Sequence, residues 1–463
     1  MSSLPATSSQ ALPGFVGESR AILKLAGPII VAQLAQTAMA FVDTVMAGRV
    51  SAADLAGVSL GASIWITIVL TFTGVLLAVS PLIAQAYGGK RHVEIGGIMR
   101  QGMWLALLLG VVSIVILKYG APVVLTLANA APDVAVKATG FMDGVAVGMP
   151  AFLLYKVFNS YTSSVSRTKP IMIISLLALA LNVPANYVLI YGHLGLPAMG
   201  GAGCGWASAL VNWFSVLALV VYTWRHRFYQ QFEVWSRFEW PNWDAQKRLI
   251  KLGLPIGLTL LAEVSAFTIV ALMLARLGAA VVASHQITLN FSAQTYMLPF
   301  GIASALTVRV GQHIGAGHHH LAAHTCKVGL KLVLLIASAT ALLIWVGAGY
   351  IAAMYTPDKA VQAMAATLLM FAAAYQIPDA VQVSATGALR GYKITTFPMV
   401  IQIVAFWVVG ILGGYLLGLR GVWFINQGQP LGASGFWIAL VLSLTAAAIP
   451  LLAYLVRIAR RYR

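Results

Sequence analysis

Long apolar stretches alternate with short polar segments along almost the whole chain. A helix needs about 20 apolar residues to cross the hydrocarbon core of a bilayer. On that criterion the pattern predicts twelve membrane-spanning helices, near residues 21–47, 55–86, 98–120, 134–157, 168–191, 200–224, 248–275, 281–313, 325–352, 360–388, 395–418 and 432–458. We therefore predict an all-α, polytopic membrane protein.

The composition supports insertion into a membrane. Hydrophobic residues make up 60% of the 463 residues and charged residues only 9%, whereas soluble domains carry roughly 25% charged residues. The formal net charge is +17, but the basic residues stand in short gaps between apolar stretches. In that position they face a lipid bilayer, so we expect no nucleic acid partner. The two cysteines are predicted on opposite faces of the bilayer, which excludes a disulfide framework.

The distribution of lysine and arginine predicts the orientation of the chain. Cytoplasmic loops hold an excess of these residues. With a cytoplasmic N-terminus, 23 of the 29 basic residues lie on the inner side, and the outer side keeps only Arg49, Lys118, Lys137, Arg276, Lys359 and Arg420. We therefore expect both termini in the cytoplasm.

The sequence also matches itself at an offset of 227 residues, which aligns 24–90 with 251–317 without a gap. Matched pairs include Pro28/Pro255, Arg49/Arg276, Gln85/Gln312 and Gly88/Gly315. Repeats of six helices each have the same orientation, and rocking of one repeat against the other exposes a central cavity to each side in turn. The repeat predicts two pseudo-symmetric six-helix lobes.

This repeat defines the predicted domains. Residues 1–20 form a cytoplasmic tail, and residues 21–224 form the N-terminal lobe. Residues 225–247 are the cytoplasmic linker, and residues 248–463 form the C-terminal lobe with a short basic tail.

Three acidic residues, Asp43, Glu263 and Asp379, lie within predicted membrane helices, and Asp143 is a less clear fourth. An acidic side chain at mid-bilayer costs about 2.5–3.5 kcal/mol, so such residues usually line an ion or substrate path. The alternative is a structural pair with Lys or Arg, but we expect no basic residue at comparable depth. Burial favours a protonated carboxyl, which can release its proton when a cation arrives. This exchange is what an antiporter requires.

The surroundings of Asp379 suit a hard cation. Pro378 removes a helical N–H and frees a carbonyl near the acid, and Tyr375 offers a hydroxyl. Tyr296 is available for cation–π attraction. Apart from a possible Na⁺ at Glu263 and Asp379, we predict no metal site and no cofactor, because the run His318–His320 has no neighbouring carboxylate.

Several motifs together resemble the multidrug and toxic compound extrusion (MATE) transporters, in particular the NorM-like bacterial subgroup. They are Pro28 followed by Phe41-Val42-Asp43-Thr44-Val45-Met46-Ala47-Gly48; Ala262-Glu263-Val264; His285-Gln286 with Asn290-Phe291-Ser292; and Asp379-Ala380-Val381-Gln382 with Gly387-Ala388-Leu389-Arg390-Gly391-Tyr392. The resemblance covers roughly residues 20–460. It implies a transporter of the bacterial inner membrane that exports cationic amphipathic drugs and dyes against inward Na⁺ or H⁺, and we expect it to work as a monomer.

The resemblance also implies roles for individual residues. Glu263 and Asp379 would bind the coupling cation, assisted by the ring of Tyr296 and the hydroxyl of Tyr375. In the N-terminal lobe, Asp43 would be the carboxylate that takes a proton or contacts substrate, with Asn182 and Asn186 nearby. Gln286 of the C-terminal lobe is a further candidate substrate contact. Some relatives carry an aspartate where Asn186 stands, and that aspartate completes a second sodium site. Because this chain has asparagine there, the resemblance argues against a sodium site in the N-terminal lobe.

Two other functions remain as alternatives. A lipid or oligosaccharide flippase of related architecture would need several basic residues deep in its cavity to bind phosphate, and the predicted helices place none deep in either lobe. A membrane enzyme would need a reactive set at depth, yet His285 is the only histidine well inside a predicted helix. We therefore expect a transporter and not an enzyme.

Overall fold

The computed structural model describes residues 12–127, 131–421 and 427–461. These residues form a short helix, Arg227–Gln230, and twelve long helices: α1 Phe15–Gly48, α2 Ala52–Gly88, α3 His92–Leu127, α4 Pro132–Ser164, α5 Lys169–Tyr191, α6 Ala202–Arg225, α7 Trp243–Leu277, α8 Ala279–Gly315, α9 His319–Tyr355, α10 Lys359–Gly391, α11 Thr396–Arg420 and α12 Ala433–Arg461. No strand occurs in these described ranges. The predicted all-α class is confirmed.

Eleven of the twelve long helices are long and apolar enough to cross a membrane. The remaining one, α8, has 37 residues, but polar side chains interrupt its apolar sequence at His285, Gln286, Asn290 and Gln294. A membrane helix rich in polar residues normally turns them toward protein or a water-filled cavity. The composition of α8 therefore marks it as a candidate lining of the transport path.

Several helices extend beyond their predicted ends. α1 begins at Phe15, inside the predicted tail 1–20, of which residues 1–11 lie outside the described residues. α7 begins at Trp243, so the last part of the predicted linker 225–247 is helical, and Asn242 caps it by accepting a hydrogen bond from the Asp244 amide at 2.9 Å. Hydropathy detects only the apolar part of a helix, whereas the ladder of backbone hydrogen bonds continues into polar sequence.

Each lobe has its own apolar core. The largest buried cluster lies between Ala47 and Leu249 and joins the helices of the N-terminal lobe. Other buried clusters connect the six helices of the C-terminal lobe, from α7 through α12. The largest cluster reaches α7 through Leu249, and a smaller cluster also connects the lobes, because Ile22 and Leu25 in the first turns of α1 pack with Leu306 of α8. The lobes therefore meet at the end of the bundle where α1 begins and α12 ends, which we call the terminal face.

Two symmetric hydrogen bonds cross between the lobes near the terminal face. Gln85 Nε2 donates to the Gly391 carbonyl at 2.8 Å, and Gln312 Nε2 donates to the Ser164 carbonyl at 2.8 Å. The two donors are 227 residues apart, and so are the two acceptors. The internal repeat thus appears at the interface as a pair of matching bonds.

Matched glycines allow this close approach. A Cβ atom on Gly88 would overlap the backbone carbonyl of Gln312, and a Cβ on Gly315 would overlap the carbonyl of Gln85. Backbone atoms cannot move aside as a flexible side chain can. Glycine at both positions therefore lets the ends of α2 and α8 touch.

A buried ion pair adds an asymmetric contact at the same face. Arg309 donates to both Glu18 oxygens, at 2.8 and 2.7 Å, and Thr325 Oγ1 donates to Glu18 at 2.6 Å. The equivalent positions in the other repeat are Ala245 and Leu82, which form no such pair. Within the described ranges, the hydrogen bonds and ion pairs found between the lobes all lie in the half nearest the terminal face. The opposite half is left free to open.

We expect alanine at either interface glycine to separate the lobes at the terminal face. The substitution Gly88→Ala or Gly315→Ala places a methyl group against backbone, so the closed population should fall at least about tenfold, equivalent to about 1.4 kcal/mol. Pulsed electron paramagnetic resonance between spin labels at Lys169 and Thr396, in a chain without its native cysteines, measures the separation. Both label sites are exposed at the starts of α5 and α11.

The matched control is Gly349→Ala in α9, where a Cβ would meet nothing within 4 Å. It carries the same gain in helix propensity without the overlap. An unchanged label distance in Gly88→Ala and Gly315→Ala would show that the glycine contact does not hold the lobes together.

Candidate functional site

The N-terminal lobe holds a buried carboxylate surrounded by neutral donors. Asp43 of α1 is 8% exposed, and its Oδ1 accepts hydrogen bonds from Asn182 Nδ2 at 3.1 Å and Asn186 Nδ2 at 2.6 Å. Its Oδ2 accepts a hydrogen bond from Ser208 Oγ of α6 at 3.1 Å. The two asparagines are one turn apart on α5, so both face Asp43. Neutral donors orient the carboxylate without neutralising it.

This cluster also contains residues that the sequence analysis missed. Ser208 donates to the carboxylate, and Cys204 Sγ lies 3.4 Å from the Asp43 backbone carbonyl as a donor. Nothing in the pattern of α6 distinguishes Ser208 from the other small residues of that helix. Only the packing of α6 against α1 brings it to the acid.

The amides can adapt to the charge of Asp43. Asn182 Oδ1 and Asn186 Oδ1 are buried and have no hydrogen-bond partner within the described part of the chain. Turning either amide over would direct its oxygen toward Asp43, where it could accept from a protonated carboxyl or bind a cation. The cluster can therefore satisfy an ionised or a neutral Asp43.

The C-terminal lobe gathers the four other predicted ion-site residues. Glu263 lies on α7, Tyr296 on α8, and Tyr375 and Asp379 on α10. Both tyrosines interact electrostatically with both acids, and the two acids interact with each other. Asp379 is 1% exposed, and its Oδ1 has no hydrogen-bond partner among the described residues. A buried carboxylate oxygen without a donor is a suitable ligand for a proton or a hard cation.

Neighbouring residues fix the helices around this acid cluster. Gln376 Nε2 of α10 donates to Thr295 Oγ1 of α8 at 2.8 Å, which joins the residues next to Tyr375 and Tyr296. Trp407 Nε1 of α11 donates to the Ala262 carbonyl of α7 at 3.3 Å, beside Glu263. Each bond lies one position from a site residue, so α10 is held to α8 beside the two tyrosines, and α7 is held to α11 beside Glu263.

The expectation that no basic residue lies at comparable depth is wrong for Lys156, and a second basic residue, Arg390, lies near Glu263 from the end of α10. Lys156 lies within α4, and its Nζ donates to Gln36 Oε1 of α1 at 2.9 Å. Arg390 lies on α10 and interacts electrostatically with Glu263 and Tyr296. The predicted span 134–157 placed Lys156 at a helix end, whereas α4 continues to Ser164. Arg390 lies beyond the predicted span 360–388 and is the next to last residue of α10, which ends at Gly391.

Neither basic residue forms a direct pair with the acids. The ion pairs within 4.0 Å among the described residues involve Glu18, Asp54, Glu94, Glu233 and Glu239. Asp43, Glu263 and Asp379 take part in none of them. Arg390 makes the surroundings of Glu263 less negative but forms no ion pair with its carboxylate, so the carboxylate is still available to a mobile cation.

The remaining candidates lie apart from these two clusters. Gln286 is exposed on α8, and no hydrogen bond joins it to the acids in the described ranges. His285 is fully buried and packs edge-on against Trp437, with ring centroids 5.8 Å apart. Asp143 is exposed on α4. Around the histidine run, as elsewhere in the described residues, no group of three or more His, Cys, Asp or Glu could hold a metal ion.

Two pseudo-symmetric lobes of six membrane helices, with buried carboxylates in each and contacts at one face, are an architecture typical of membrane transporters. The sequence profile of the MatE family matches residues 28–188 and again 255–416, which are two copies at the offset of the internal repeat. The chain belongs to the MatE family, whose members are membrane transporters.

Relatives and solved structures cover nearly the whole chain. It is 46% identical over 447 residues to the probable multidrug resistance protein NorM of Chromobacterium violaceum, covering 96% of this chain and 95% of the relative. It is 44% identical to the multidrug resistance protein PmpM of Pseudomonas aeruginosa, covering 96% and 92%. The crystal structure of the eukaryotic MATE transporter AtDTX14 has a TM-score of 0.87 at 17% identity, covering 97% and 99% of the two chains. That likeness shows the shared fold.

We expect Asn186→Asp to create a sodium site in the N-terminal lobe. The new carboxylate would stand about where Asn186 Nδ2 now lies, 2.6 Å from Asp43 Oδ1. Two carboxylates so close cannot both ionise without a proton or cation between them. The melting temperature of the purified variant should therefore rise more in sodium chloride than in choline chloride, because ligand binding stabilises the folded state.

Asn290→Asp, at an exposed position of α8, is the matched control for the added charge. An equal sodium effect in Asn290→Asp and Asn186→Asp would contradict the arrangement around Asp43.

Proposed function

We propose that this chain is a secondary antiporter of the bacterial inner membrane that exports cationic amphipathic drugs and dyes in exchange for inward Na⁺ or H⁺. The observation that carries the proposal is that Asp43, Glu263 and Asp379 are embedded in membrane helices without a direct basic partner within the described residues. Relatives named as multidrug resistance proteins support drugs as the exported substrates.

Coupling follows from competition for negative charge. A carboxylate in a low-dielectric interior is unfavourable until a proton, a metal cation or a cationic substrate neutralises it. Glu263 and Asp379, with Tyr296 and Tyr375, provide oxygens and an aromatic face for the coupling cation. Asp43, with its neutral donors, takes a proton or the positive group of the substrate. Occupation by one cation opposes occupation by another, which is the basis of antiport.

The contacts between the lobes indicate the stage of the transport cycle. The basic residues predict that the terminal face is cytoplasmic, with both termini inside. The lobes touch on that face through Gln85, Gln312 and the Glu18–Arg309 pair. The structure then represents the state open to the outside. Opening to the cytoplasm requires these contacts to break, and a single chain contains all of them, as expected for a functional monomer.

The flippase alternative is less well supported. A phosphate-carrying headgroup would need several basic residues near one another. In the described part of the chain, Lys156 contacts the neutral Gln36 in the N-terminal lobe, and Arg390 lies near the acidic Glu263 in the C-terminal lobe. Export of drugs therefore remains the proposed function.

We expect Asp43→Asn, Glu263→Gln and Asp379→Asn each to abolish ethidium export. Each change removes a titratable charge but keeps the shape of the side chain. Ethidium resistance and dye efflux should fall to the level of cells that lack the protein, while membrane insertion and expression remain unchanged. Asp133→Asn, at an exposed position near the start of α4, is the control and should transport normally. Retained efflux in all three membrane variants would refute the proposed coupling sites.

We expect either a sodium gradient or a proton gradient to drive export. Oxygen ligands suit Na⁺, and the same carboxyl groups can bind a proton. Ethidium efflux from proteoliposomes should be measured with each gradient imposed in turn, and with Glu263→Gln as the inactive reference. Efflux that persists at the same rate with neither gradient would contradict antiport.

A further inference from the structure

A lysine inside the N-terminal lobe has no part in the proposed antiport. Lys156 lies within α4 and is partly exposed, and Gln36 of α1 accepts a hydrogen bond from its ammonium group at 2.9 Å. No acidic side chain lies within 4.0 Å of it among the described residues. A basic residue inside a membrane helix is costly and usually marks a functional site. An ammonium group has three donors, so this one can accommodate a further acceptor.

Aromatic rings surround the lysine. The ammonium lies 4.9 Å from the ring centroid of Phe152 and 5.8 Å from that of Tyr155. Trp65 of α2 packs edge-on against Phe152 at 6.1 Å, and Met149 accepts the Trp65 Nε1 hydrogen bond at 3.2 Å. The tyrosine is fixed by a 2.8 Å hydrogen bond to Ser175 of α5. These contacts hold flat apolar surfaces next to a positive charge.

The same helix carries the negative charge of the lobe. Gln36, which contacts the lysine, and Asp43 are seven residues apart on α1. At a rise of 1.5 Å per residue this corresponds to about 10 Å along the helix. The residue that contacts the ammonium group and the residue that carries the carboxylate therefore lie about two turns apart on one helix, with aromatic rings at the positive end.

We propose that Lys156 is a specificity-determining residue that binds the carboxylate of zwitterionic aromatic substrates while Asp43 binds their amine. The inference rests on the proposed export function and adds a second charge contact to it. A charge-assisted hydrogen bond from an ammonium to a carboxylate is roughly twice as strong as a neutral one. A simple cation gains nothing from this lysine and is repelled by it, whereas a zwitterion of suitable length is attracted at both ends.

The probe pair is ciprofloxacin and its methyl ester. Ciprofloxacin carries an amine at one end of a flat ring system and a carboxylate at the other, and the ester removes only the negative charge. Their gradient-driven transport is compared in proteoliposomes by fluorescence, with the full-length protein. Lys156→Met removes the charge and keeps the length, Lys156→Gln keeps a partner for Gln36, and Lys156→Arg keeps the charge. Lys331→Met, at an exposed lysine of α9, is the matched control.

We expect Lys156→Met and Lys156→Gln to lower the ratio of acid to ester transport, as kcat/KM, by about tenfold or more. Transport of the ester should be unchanged or faster, because the repulsion of cations is removed. Lys156→Arg should restore the wild-type ratio, and Lys331→Met should leave it unchanged.

An equal loss of transport for acid and ester in the uncharged variants would show that Lys156 only holds α4 to α1, and would overturn the inference. An unchanged ratio would overturn it as well. Failure of the wild-type protein to transport either compound would instead refute the proposed export function, so the two failures are distinguishable.

Discussion

The structure depends on the cost of holding an ionised carboxylate away from water. Asp43 and Asp379 are almost fully buried, yet neither has a basic side chain within ion-pair distance in the described ranges. Buried charges normally carry a fixed partner, as Glu18 does with Arg309 at the terminal face. That permanent pair stabilises one arrangement of the lobes, whereas an acid without a partner remains available to a mobile cation. The contrast separates structural charges from those suited to transport.

Symmetry of the scaffold and asymmetry of its chemistry serve different purposes. Gln85 and Gln312 form equivalent bonds to equivalent carbonyls because two similar lobes meet about a two-fold axis. The polar residues inside the lobes do not follow this symmetry: at the same offset, Glu263 corresponds to Gln36 and Asp379 to Phe152. Duplicated interfaces let the lobes close in a defined way, and the unequal interiors allow an ion site in one lobe and a substrate site in the other.

The sequence predicted much of the fold because its signals are local. Twelve helices follow from the lengths of the apolar stretches, and the two lobes follow from the offset of 227 residues, which the family profile also shows. The residues of the candidate site were found because acids are rare in apolar helices. The errors concern depth. Lys156 was placed near a helix end, since hydropathy underestimates a helix that continues into polar sequence, as α4 does to Ser164.

The sequence by itself determined the class of protein, its duplication and the identity of its membrane-embedded acids, because apolar length and residue type are properties of the chain alone. Tertiary structure decided which groups surround those acids. Ser208 reaches Asp43, and Lys156 reaches Gln36, only through the rotation of each helix about its axis and its packing against a neighbour. It also decided that the lobes close at the terminal face, because that contact joins residues from distant parts of the chain whose pairing no local pattern records.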